Sequence, residues 1–94
     1  MDEIQKEDLG FALGLIASIS AVIEMEKNKE KLDKKLKQLI PFIENAEKNF
    51  LKYNLKNFVD KCDVVKTLIE QKKFEEAKRI GDNIVKEVSK LLGN

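Results

Sequence analysis

The sequence predicts an all-α fold, an antiparallel four-helix bundle in up-down-up-down order, and three observations carry that prediction. Apolar residues recur at intervals of three and four along nearly the whole chain, while the alternation that marks a strand is missing. Charged residues make up 37% of the 94 and aromatic residues 6%, with one Pro and four Gly, a composition suited to long charged helices rather than to sheets or disorder. The length suits one domain, residues 1–94, and is too short for two.

The first helix is predicted near residues 3–27. Asp2 and Gln5 can form a capping box at its start, and Leu9, Ala12, Leu13, Ile16, Ile19 and Ile23 form one broad apolar face. Asn28 suits the turn that follows. In the second segment Leu32, Leu36, Leu39, Ile43, Ala46, Phe50 and Tyr53 are spaced 4, 3, 4, 3, 4 and 3 apart, and the phase continues across Pro41. A seam that keeps its register predicts one helix near 30–53, kinked at Pro41. Proline removes the bond to the Lys37 carbonyl but lies opposite the seam, where a solvent-side bend is easiest to accommodate. The alternative, Pro41 opening a new helix, would leave Ile40 as a poor N-cap.

A third helix is predicted near 56–71 from Leu55, Phe58, Cys62, Val65 and Ile69, with Asn54 in the preceding turn, Asn57 as its cap and Asp60 in its first turn. The fourth, near 74–92, carries Phe74, Ala77, Gly81, Ile84, Val88 and Leu91. Glu75 and Glu76 stand at its positive end and Lys86 and Lys90 at its negative end, and Gly93 can close it in a left-handed conformation. Connections of two or three residues make sequence neighbours pack antiparallel.

Chemistry is sparsely represented. The chain has no His and a single Cys, which disfavours zinc and haem sites and excludes an internal disulfide. Cys62 lies on the third helix's apolar seam, where a thiol behaves as a small hydrophobe, and Ser18 and Ser20 sit in an apolar run with no base in sequence reach. Gly10 and Gly14 lack the Lys-Ser/Thr of a phosphate loop. These absences predict no enzyme, no metal and no cofactor. The uncharged stretch Phe11–Ile23 is thirteen residues, against about twenty for a membrane span, and the acidic residues before it do not suit a secretory signal. A cytoplasmic protein is expected.

Charge is nearly balanced overall at +1 but unevenly placed. Residues 1–26 hold six acids and one Lys, and the basic excess begins immediately after them. On the second segment's wheel Lys31, Lys34, Lys37, Lys48 and Lys52 fall opposite the seam, making them candidate phosphate contacts. Interleaved acids, a single Arg and the expectation that no aromatic is exposed to stack on bases make nucleic-acid binding the second reading.

The first reading comes from the first helix. Besides its broad apolar face, Gly10, Gly14, Ala17 and Ala21 line up at spacings of 4, 3 and 4, a strip that allows another helix close approach, while Phe11, Leu15, Ser18 and Val22 occupy much of the remaining circumference. From Phe11 to Ile23 the helix has no charged side. A helix apolar all round is central to its domain or is buried by a partner. The predicted interface is therefore Gly10, Phe11, Gly14, Leu15, Ala17, Ser18, Ala21 and Val22. The expected function is protein–protein association, with the chain itself as partner in a homodimer.

Overall fold

The computed structural model describes residues 1–93. Helices account for 85% of it, and no strand occurs among the described residues. The elements are α1 (Glu3–Met25), α2 (Lys29–Gln38), α3 (Ile40–Lys52), α4 (Lys56–Glu70) and α5 (Phe74–Leu91).

Local chemistry explains most of the boundaries. The Asp2 carboxylate accepts from the Gln5 amide at 2.8 Å and starts α1. The helix ends at Met25 because Glu26 turns extended and its carboxylate accepts from the Asn28 amide. Asn28 then caps α2 by accepting from the Lys31 amide at 3.0 Å. Gly93 adopts φ 85° and closes the end of α5, its amide donating to the Lys90 carbonyl.

Two boundaries differ from the sequence reading. The single helix expected over 30–53 is two helices, with Leu39 serving as the last residue of one turn and the cap of the next. The Leu39 amide donates to the Lys35 and Leu36 carbonyls, and the Phe42 amide donates to the Leu39 carbonyl. Pro41 has no amide to donate, so the ladder is broken there and α3 restarts with Pro41 in its first turn. Ile40 is inside α3 and does not cap it. Asn57 does not cap α4 either: Leu55 holds that position without a side-chain bond, and Asn57 is an exposed residue within the helix. The reversal before α4 is made instead by Asn54, at φ 61°, a left-handed conformation that Asn tolerates better than most residues. Lys72, at φ 59°, performs the same service between α4 and α5, a role its sequence does not advertise.

One core joins all five helices. Leu9, Ile16 and Ile19 of α1 meet Ile43, Ala46 and Phe50 of α3 and Ala77, Ile84 and Val88 of α5, while Val65 and Ile69 of α4 complete it, every one at most 1% exposed. The Phe50 and Phe58 rings stand 5.3 Å apart across α3 and α4. α1 packs chiefly on α5 and α3, and α4 on the same two helices. Polar pairs link neighbouring helices: Glu24 late in α1 with Lys78 early in α5 at 3.5 Å, and Glu47 of α3 with Lys66 of α4 at 2.6 Å.

One close helix approach lies inside the core, between α1 and α5. A Cβ added at Gly81 would stand 2.9 Å from Ser20 Oγ. Small residues at both positions are what allow the two backbones to come together there.

Candidate interaction surface

α1 presents two different faces. Inward, Leu9, Ala12, Ile16, Ile19 and Ile23 are 3% exposed or less. Outward, Phe11, Gly14, Ser18 and Ala21 are exposed, and Leu15, Ala17, Val22 and Gly10 flank them half-buried. Phe11 is 61% exposed, and Ile4 and Met25, beyond the charged residues at either end, are 67% and 80% exposed. No charged residue interrupts the face between Asp8 and Glu24. Solitary exposed apolar residues are ordinary, but a run of them along one uncharged helix face is not.

The outward strip is also open. A Cβ added at Gly10 or Gly14 would meet nothing within 4 Å, so neither glycine answers to a packing constraint inside this chain. In an exposed helix interior each costs up to about 1 kcal/mol relative to alanine. Ser18 turns its hydroxyl donor inward, its Oγ donating to the Gly14 carbonyl at 2.9 Å. The eight residues predicted as an interface thus share one side of one helix, with Ala17 and Leu15 at its borders.

α1 is 23 residues long, and by length and composition it can cross a membrane. The thirteen residues Phe11–Ile23 are only part of its uncharged centre, which runs from Leu9 to Ile23. Of its most apolar 18-residue window 33% is buried, and Leu13, Leu15 and Val22 are partly buried against the core as well.

The five lysines of the stripe are divided between two helices. Lys31, Lys34 and Lys37 are exposed on α2, and Lys48 and Lys52 on α3. Two of the five already hold carboxylates: Lys37 pairs with Asp33 at 3.1 Å and Lys52 with Asp8 at 2.9 Å. Among the described residues Lys31, Lys34 and Lys48 make no ion pair.

A polar node not foreseen from the sequence fastens the start of α1 to the end of α3. The Asp8 carboxylate accepts from the Tyr53 hydroxyl and the Lys52 ammonium, and Asn49 Nδ2 donates to the Asp8 carbonyl at 2.9 Å. The Tyr53 bond, then the Lys52 bond, holds the Asp8 carboxyl below the usual range, and the same contacts raise Tyr53 and Lys52. The only signal for this node was Tyr53 at the end of an apolar seam, an amphipathic residue that buries its ring and needs a partner for its hydroxyl.

Cys62 is fully buried, and its thiol is pushed up to about 12 by burial first, with the Glu47 and Asp63 charges adding to it. A thiol so placed is not ionised at neutral pH and is a weak nucleophile. Among the described residues no three His, Cys, Asp or Glu side chains gather in a way that could hold a metal ion. Compared with protein-family models, curated proteins and solved structures, the chain shows no significant match.

Proposed function

We propose that this protein acts by protein–protein association, as a cytoplasmic homodimer without catalytic activity, and that the outward face of α1 is its interface. Gly10, Phe11, Gly14, Leu15, Ala17, Ser18, Ala21 and Val22 form the contact surface. In this reading the chain is an up-down-up-down bundle in which α2 and α3 follow one another as a single wall, turning at Pro41. α1 then serves two layers at once, the core of its own chain and the seam with a partner.

One observation carries the proposal: a helix without charge from Leu9 to Ile23 leaves Phe11 61% exposed beside glycines that no neighbour in the chain requires. Removing apolar area from water is worth roughly 25 cal/mol per Å², and a partner helix gains it where the backbone can be approached closely. A membrane is a less suitable cover, because a spanning α1 would have to leave the core that Ile16 and Ile19 build with α3 and α5.

Light scattering coupled to gel filtration tests the reading. The expected result at tens of micromolar is the mass of two chains, unchanged by high salt because the contact is apolar. Gly14→Leu is expected to return the mass to one chain without unfolding it, since the added side chain enters open space in the monomer. A wild-type mass of one chain, unaltered by the substitution, would overturn the proposal.

The second reading, a nucleic-acid-associated accessory protein, is supported by Lys31 and Lys34, exposed and without a carboxylate partner on α2. It requires oligonucleotide binding that survives physiological salt, about 150 mM, and weakens when Lys31, Lys34 and Lys37 become Gln.

A further inference from the structure

Two connections meet at one end of the molecule and leave a cleft between them. Glu26 and Lys27 of the α1–α2 connection and Lys29 at the start of α2 form one wall, and Lys72 and Lys73 of the α4–α5 turn form the other. Ile23, Leu32 and Phe74 make the floor, at 3%, 4% and 6% exposure. The cleft holds about 320 Å³, within the range of roughly 300–1,000 Å³ in which small molecules bind. An apolar floor under a charged rim suits a ligand with an apolar body and one charged group.

The sign of that group follows from the rim charges that are already satisfied. Of the three carboxylates at the rim, Glu26 is held by Lys35 from outside the cleft at 2.8 Å and also accepts from the Asn28 amide at 3.2 Å. Glu75 and Glu76 remain, and Glu75 also lines a recess with Lys78 and Arg79. Against these two stand Lys27, Lys29, Lys72 and Lys73, all exposed, and none of the four forms an ion pair among the described residues. Glu30 and Asp33 line the adjoining recess beyond Lys29 and Lys72, where Lys34 stands with them and Lys37 holds Asp33. The excess at the rim of the cleft is therefore positive.

The backbone at Lys72 points the same way independently. Lys72 reverses the chain at φ 59°, the left-handed conformation that Asn54 adopts in the preceding turn and Gly93 adopts at the end of α5. Asn and Gly suit that conformation, and a lysine does not. The reversal alone gives no reason for a long cationic side chain at this position, whereas a rim that uses its ammonium group does.

We infer that the cleft binds a small organic anion, a carboxylate carried on an aliphatic chain, with the chain on Ile23, Leu32 and Phe74 and the carboxylate between Lys27 and Lys72. None of these residues belongs to the outward face of α1, so the site is independent of self-association.

Titration of the isotopically labelled full chain with octanoate near neutral pH, followed through amide chemical shifts, tests the site, and octylammonium and octanol, which carry the same chain, test the sign. Octanoate is expected to give saturable shifts at low millimolar concentration, centred on Ile23, Leu32 and Phe74, with the other two compounds at least about threefold weaker there. Lys72→Asn places in the turn a residue that suits it, so the unfolding temperature is expected to hold or rise while octanoate binding weakens about threefold. Lys27→Gln, on the opposite wall and exposed, is expected to weaken it similarly, and the two together about tenfold. No saturable shift, shifts centred elsewhere, octylammonium or octanol bound as tightly as octanoate, or octanoate binding unchanged by both substitutions would each overturn the inference.

Discussion

The two faces of α1 are apolar for different reasons. The inward face uses large aliphatic side chains, Leu9, Ile16, Ile19 and Ile23, to fill a core shared with α3 and α5, and permits one close approach, at Ser20 against Gly81. The outward face puts small residues in the middle and large ones towards its ends, and its two glycines have empty space above them. Hydrophobicity along the helix therefore does not say which side is the core. Residue size does, because a core wall needs volume whereas a face awaiting another helix needs access.

The largest effect that could break this comparison is in the core. Ile16→Ala removes a fully buried side chain and is expected to cost about 2–5 kcal/mol in urea unfolding. Phe11→Ala, a larger truncation one turn away, is expected to change the stability of the isolated chain by no more than about 0.5 kcal/mol. Comparable losses at both sites would show that Phe11 belongs to the core and that the two-face description is wrong.

Glycines sharpen the contrast at intermediate magnitude. Gly81→Leu would drive a branched side chain into Ser20 Oγ and the Ile16 side chain, an overpacking expected to cost about 1–3 kcal/mol. Gly14→Ala meets no neighbour and relieves the backbone freedom of glycine within a helix, so the monomer is expected to gain up to about 1 kcal/mol. Thermal unfolding of dilute protein measures both, and a loss at Gly14 would mean that the outer face is packed within the chain.

Much of this was legible in the sequence because it depends on period. The apolar spacing locates the inward residues of every helix, from Leu9 in α1 to Val88 in α5, but fails at Leu91, the last position of the final seam, which is 43% exposed where the helix end runs past the core. Asp2, Asn28 and Gly93 act at helix ends as their chemistry suggests. The outward strip on α1 was legible for the same reason: what remains of a helix after its core face is removed is also a face. Pro41 shows where period is insufficient. A seam can keep its phase across a missing hydrogen bond, so continuous spacing from Leu32 to Tyr53 is compatible with two helices as well as with one. Asn57 shows a second limit, since Leu55 begins α4 without any side-chain cap. The Asp8 node depends on residues more than forty positions apart, and no local pattern pairs them.

The smallest expected effects distinguish how α1 and α4 are fastened to α3. At Asp8 the Tyr53 and Lys52 bonds hold the folded carboxyl below its ordinary value of 3.8. The unfolded chain therefore binds the proton first on acidification, and the contribution of Asp8 is present above pH 3.8 and is lost as pH falls through the lower folded value. Glu47, between α3 and α4, is displaced the other way: burial outweighs its bond to Lys66 and raises its carboxyl above 4.5. Here the folded chain keeps the proton longer, so this group favours the folded state below pH 4.5 and opposes it as pH rises through the folded value. Urea midpoints collected between pH 3 and 7 should show the difference through single substitutions. Asp8→Asn should flatten the fall in stability below pH 4, and Glu47→Gln should remove a decline above 4.5. Both slopes should be shallow, because each shift is a balance in which burial opposes the hydrogen bonds to the same carboxylate. If Asp8→Asn left the acid limb unchanged, the tie between α1 and α3 would rest on the Asn49 bond to the Asp8 carbonyl and on the apolar face alone.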